Sequence, residues 1–100
     1  MAPGILFICT GNICHSPVAE AVARQRFGDL GLEFRSAGLD ARAGLPASTA
    51  SADDVRATGG SLAEHRSQPI GPGLLERTAW VIGMTRSHAA IFRSRFGQGF

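Results

Sequence analysis

Two cysteines with four residues between them stand in the run Cys9-Thr10-Gly11-Asn12-Ile13-Cys14-His15-Ser16-Pro17. A cysteine attacks as its thiolate, so a nucleophilic role requires surroundings that support negative charge on sulfur. The flanking residues predict such surroundings. Gly4 to Ile8 has the length and the β-branched and aromatic content of a buried parallel strand, which makes Cys9 the last strand residue. Ser16 can cap a helix, and Pro17 suits a first helical position. Val18 and Val22, with Ala19, Ala23 and Phe27, then line a face at i, i+4 spacing, and Gly28 ends it. Strand, tight loop and helix N-terminus in that order aim backbone N–H groups and a helix dipole at one point, which makes a site for an oxyanion. The same field favours the thiolate of Cys9.

The chemistry that fits is phosphoryl transfer through a cysteinyl-phosphate. Cys9 would attack in line, loop N–H groups would hold the equatorial oxygens, and an acid would protonate the leaving group. The alternative is a strand-end cysteine behaving as a small hydrophobe. Its position favours function, because ligands of α/β folds sit at the carboxyl ends of strands. Cys14 is either a packed helix-start residue or a partner that forms a disulfide with Cys9 and shields it from over-oxidation. A metal centre built from Cys9, Cys14 and His15 is disfavoured, since structural zinc needs four ligands in paired short spacings. His65 and His88 read as structural or surface residues.

The remaining elements must position this loop. Leu32 to Ser36 alternates like a short strand closed by Ala37-Gly38, and Asp40 to Ala47 is a surface loop. A helix is expected from about Ser48 to Thr58, anchored by Val55 and stopped by Gly59-Gly60. Leu62 to Pro69 is loop or short strand. Gly71-Pro72-Gly73 precedes a short helix through Leu74, Leu75 and Arg77. Trp80 to Met84 is expected as a second buried strand, followed by a cap at Ser87 and a last helix from Ala89 to Phe96 that stops at Gly97. Strands alternating with helices imply an α/β domain with a parallel sheet. The chain ends at Gly99-Phe100, so a three-stranded sheet would keep an open edge, which invites a partner chain or a second copy.

Composition bounds the reading. One hundred residues make one domain at most, and 44% hydrophobic with 18% charged residues fits a globular chain. Every basic residue is arginine. These are spread from Arg24 to Arg95 and the net charge is only +2, so no nucleic-acid footprint is visible. No apolar run is long enough to cross a membrane, and no leader pattern precedes the first strand, which together predict a cytoplasmic protein without membrane partners. Cysteines in such a chain read as catalytic or redox groups.

On these residues the sequence resembles the low-molecular-weight protein tyrosine phosphatases, including their bacterial phosphoarginine-phosphatase branch. The resemblance covers nearly the whole chain. Beyond the loop and Ala19-Glu20 it includes Arg35-Ser36-Ala37-Gly38, the His65 segment, Ala79 to Thr85 and His88, in order. It implies a three-layer αβα fold with a central parallel sheet, and one phosphatase-like domain over residues 1–100 that lacks a C-terminal strand and helix. It implies hydrolysis of a phosphorylated protein or small phosphomonoester, with no metal or cofactor. Cys9 aligns with the nucleophile and Ser16 with the hydroxyl that stabilises its thiolate. Thr10, Gly11, Asn12, Ile13 and Cys14 align with the phosphate-binding loop. Asn12 aligns with the residue that props the loop in a strained shape through partners matching Ser36 and His65. Ile13 looks like the phosphotyrosine branch, where the phosphoarginine branch carries threonine, and the cysteine spacing resembles the family's redox switch.

Two departures stand out. His15 occupies the place of the family's loop arginine. Arginine presents a planar, permanently charged fork to two phosphate oxygens, whereas histidine offers one donor at a time and is mostly neutral near pH 7. The family's Asp-Pro general acid lies beyond the point where this sequence stops. Both departures predict impaired catalysis, or a pseudophosphatase that binds a phosphate group without cleaving it.

Overall fold

The computed structural model describes residues 3–97. The middle of its sheet is β1 (Gly4–Cys9), in which Leu6 and Ile8 are fully buried. β2 (Glu33–Gly38) pairs parallel along one side of β1, with Cys9 opposite Gly38. β3 (Trp80–Gly83) pairs parallel along the other, with Ile8 opposite Gly83, so the strand order is β2-β1-β3. Parallel neighbours need crossovers. These contain α1 (His15–Phe27), α2 (Thr49–Ala57) and α3 (Pro72–Glu76), while α4 (Arg86–Phe96) follows β3.

Because strand side chains alternate between faces, this register puts Leu6, Ile8, Ala37 and Val81 on one face. There they pack with Leu74 of α3 and Phe92 of α4. On the opposite face Phe7 stacks on Phe34, and Ser36 reaches Glu20 of α1, against which α2 packs. Helices therefore cover both sides of the sheet, and the expected three-layer αβα arrangement is the one observed. No helix among the described residues is long and apolar enough to cross a membrane.

Several local expectations hold closely. α2 is capped by Ser48, whose side chain accepts the Ser51 N–H, and Val55 is fully buried. Gly59, at φ 90°, turns the chain away in a conformation that suits glycine.

Others are corrected. α1 begins at His15, and its N-cap residue Cys14 makes no side-chain cap; the Ser16 hydroxyl is turned towards Cys9 instead. The buried stripe of α1 is Ser16, Pro17, Ala21 and Ala23, and Phe27 lies 48% exposed past the sheet-covering part of the helix. β2 runs from Glu33 to Gly38, because the ladder continues through small residues where alternation breaks down. The cap of α4 is Thr85 and not Ser87. β3 is not a buried strand: Trp80 is 68% and Ile82 44% exposed, since α1 lies over β1 and β2 and leaves that face of β3 uncovered among the described residues. The terminus at Gly99-Phe100 lies outside the described residues.

Candidate active site

The loop after β1 is shaped by where its carbonyl groups go. The Cys9 carbonyl accepts the Leu39 N–H at 2.8 Å, and the Thr10 carbonyl accepts the Asp40 N–H at 3.0 Å. These bonds carry the β1–β2 ladder past the end of both strands. The Asn12 carbonyl lies 2.8 Å from His65 Nε2, the Ile13 carbonyl accepts the Ser48 N–H at 2.8 Å, and the Cys14 carbonyl accepts the Ser51 hydroxyl at 3.0 Å. In a trans peptide the N–H points opposite to the carbonyl it is joined to, and no peptide bond described is cis. Tying these oxygens to the surrounding scaffold therefore turns the N–H groups of Thr10, Gly11, Ile13, Cys14 and His15 the other way, into the bowl of the loop.

Cys9 Sγ sits in that bowl. It is buried, accepts the Asn12 N–H at 3.2 Å and lies 2.9 Å from the Ser16 hydroxyl. The direction of the second contact follows from its neighbours. The Gln68 N–H can only donate, so Asn12 presents Oδ1 to it at 2.9 Å and Nδ2 to Ser16 Oγ at 2.9 Å. With a lone pair of Oγ so occupied, the Ser16 proton is free to point at sulfur. Two donors aimed at one sulfur atom support negative charge there.

Asn12 is the keystone. It is fully buried and holds a left-handed backbone, φ 58°, a conformation asparagine adopts more readily than other non-glycine residues. Its amide, carbonyl and side chain are all engaged, which holds it there. Gly38 makes room for the turn: a Cβ there would lie 2.4 Å from the Thr10 carbonyl and 3.0 Å from the Asn12 nitrogen.

The sequence expectation gave Asn12 two partners, Ser36 and His65. His65 contacts it directly, but Ser36 does not. The Ser36 carbonyl accepts from the Gln68 side chain, while the backbone of Gln68 serves Asn12, and the Ser36 hydroxyl donates to Glu20. Glu20 in turn pairs with Arg24, which also donates to the Phe34 carbonyl. Leu39, Asp40 and Gln68 were given no role at the site by the sequence, because they serve the loop through backbone groups that any residue type supplies, and Glu20 was matched only as part of the motif. His15 and Cys14 are exposed at the start of α1, and Ile13 is half-buried. His88, read as structural or surface, reaches the loop with Nε2 3.2 Å from Thr10 Oγ1. No group of three or more His, Cys, Asp or Glu side chains among the described residues could hold a metal.

Comparison with known proteins places this geometry. The family profile described as low molecular weight phosphotyrosine protein phosphatase matches residues 4–99. The "Probable low molecular weight protein-tyrosine-phosphatase EpsP" of Ralstonia nicotianae is 34% identical over 95 residues, covering 95% of this chain and 64% of that protein. The protein-arginine-phosphatase of Bacillus subtilis is 36% identical over 97 residues, covering 94% of this chain and 63% of its own length. The crystal structure of a YwlE mutant from Bacillus subtilis superposes with a TM-score of 0.89 at 33% identity, covering 97% of this chain and 66% of that one. The chain thus spans less than two thirds of the length of both sequence relatives.

Proposed function

The chain belongs to the low molecular weight phosphotyrosine protein phosphatase family, and on that premise we propose that it binds the phosphate group of a phosphomonoester in the Cys9 loop and hydrolyses it slowly through a cysteinyl-phosphate. The observation that carries this reading is the set of outward-tied carbonyls, which leaves an inward ring of N–H donors around Cys9 Sγ. Such donors, fixed before the anion arrives, match the equatorial oxygens of a phosphoryl group.

The reaction has two displacements. Cys9 Sγ attacks phosphorus, the P–O bond to the leaving group breaks, and the departing oxygen takes a proton from water. A water molecule then attacks the Cys9-bound phosphorus, the S–P bond breaks, and inorganic phosphate leaves as the thiolate returns. Ser16 and the Asn12 amide hold charge on sulfur before the first step and again after the second. Ile13, a β-branched aliphatic loop residue that resembles the phosphotyrosine branch, favours an aryl ester, the class to which phosphotyrosine belongs. A thiol nucleophile also fits the cytoplasm, where thiols stay reduced.

His15 sets the rate. The residue at this loop position would complete the oxyanion clamp, and a histidine replaces two parallel donors by one. Loss of a preorganised donor typically costs about 10²–10³ in rate. The same residue favours a second reading, a binding module that holds a phosphorylated partner without turnover.

Hydrolysis of a small aryl phosphate separates the two, because its leaving group departs without an acid. The expected result is slow turnover above a Cys9→Ser blank and a gain of about 10²–10³ in His15→Arg. Turnover in the parent with no gain in the arginine variant would remove position 15 as the cause. No turnover in either folded protein, with Cys9 still protected from alkylation by phosphate, would leave the binding reading.

A further inference from the structure

His88 lies 78 positions from Thr10 in sequence, yet it joins the start of α4 to the first residue of the anion loop. Its protonation pattern follows from its partners. The Thr85 N–H donates to Nδ1 at 3.1 Å, and a backbone N–H has nothing to accept with, so Nδ1 carries the lone pair. The ring proton is therefore on Nε2, which donates to Thr10 Oγ1 at 3.2 Å. The Thr85 hydroxyl accepts the His88 N–H at 3.1 Å, which closes a capping box around the ring. The imidazole cannot swing away without opening that cap. Thr10 Oγ1, having accepted from His88, keeps its own hydrogen free to donate, and Thr10 is solvent-exposed at the rim next to Cys9.

We infer that His88 is a positioning residue that fixes the Thr10 hydroxyl as a donor to the anion held by the Cys9 loop, adding a side-chain hydrogen bond to the ring of backbone donors. It acts on the anion through Thr10, the residue its Nε2 contacts. The inference rests on the anion-site reading above but not on turnover. It assigns part of the binding energy to the start of α4, a helix whose Arg95 also bonds the Leu39 carbonyl and the Asp40 carboxylate beside the loop.

The test is protection of Cys9 from iodoacetamide by inorganic phosphate, read by mass at Cys9 itself, in a double-mutant cycle. A hydrogen bond to a charged acceptor is worth about tenfold in affinity. Thr10→Val and His88→Ala should each raise the half-protecting phosphate concentration by about that factor, and the double variant should rise no further than the larger single effect. His88→Gln, which keeps the box and offers an Nε2 donor, should restore most of the parent value. Independent effects that multiply in the double variant, unchanged protection in His88→Ala, or a His88→Gln value equal to that of the alanine variant would each overturn the inference. An unprotected parent would overturn the anion site and this inference together, whereas a protected parent with indifferent variants would overturn the inference alone.

Discussion

β1 has a neighbour on each side, and the two sides are finished differently. Towards β2 the hydrogen-bond ladder does not stop with the strand: the Leu39 and Asp40 amides extend it into the loop, and Gln68, Ser36, Glu20 and Arg24 form a continuous relay behind Asn12. Towards β3 pairing covers four residues, and the outer strand shows water an indole and an isoleucine. One flank is organised by polar satisfaction, the other by apolar contact that is only half made. The difference teaches where shape is demanded. An anion loop needs each carbonyl held in a given direction, and only the β2 flank with its adjoining loops supplies enough donors to do this. β3 is held by its ladder to β1 and by the packing of one face, which is non-directional.

Substitutions at three positions test this contrast. The largest effect is expected at Leu6, fully buried in the central strand and common to both flanks; Leu6→Ala should cost about 2–5 kcal/mol, read as a drop in the denaturant midpoint. The β2 flank is probed at Asn12. Asn12→Ala strands the Gln68 N–H and loses the bond to Ser16, at a cost of about 1–3 kcal/mol. Asn12→Gly should suffer the same loss but tolerate φ 58°, so it should be more stable than the alanine variant by about 1–2 kcal/mol. Equal melting temperatures for the two would mean that the left-handed backbone is not held under strain. The smallest effect belongs to the β3 flank. Trp80→Ser should change stability by no more than about 0.5 kcal/mol, and a larger loss would show that this face is covered in solution by a second copy or another segment.

Much of this architecture can be read from residue types, and the exceptions have physical causes. β1 ending at Cys9, α2 with Ser48 and Val55, and the halt at Gly28 follow from patterns that act over a few residues. Trp80 to Gly83 misleads because an apolar run looks the same whether or not a helix comes to lie over it; burial is decided by distant elements. Ser16-Pro17 imitates a helix start, but the loop consumes the serine for its own sulfur. The cap of α4 is missed because the usual signature has Glu or Gln at the third helical position, and here His88 does that work. At the site, the loop after β1 is legible in the residues themselves, whereas the contact of His65 with Asn12 was expected only from the family resemblance. The relay through Gln68 is not, because its contact with Asn12 is made by a main-chain N–H that leaves no trace in residue identity.

The placement of β1 has a consequence for how the molecule comes into being. β1 is made before both of its neighbours yet lies between them, and β3 begins 71 residues after Cys9. At about 5–20 residues per second, that interval is about 4–14 s. Throughout it the nascent chain carries an apolar strand with at least one unpaired edge. Until β3 arrives, that unpaired edge is open to pairing with another chain.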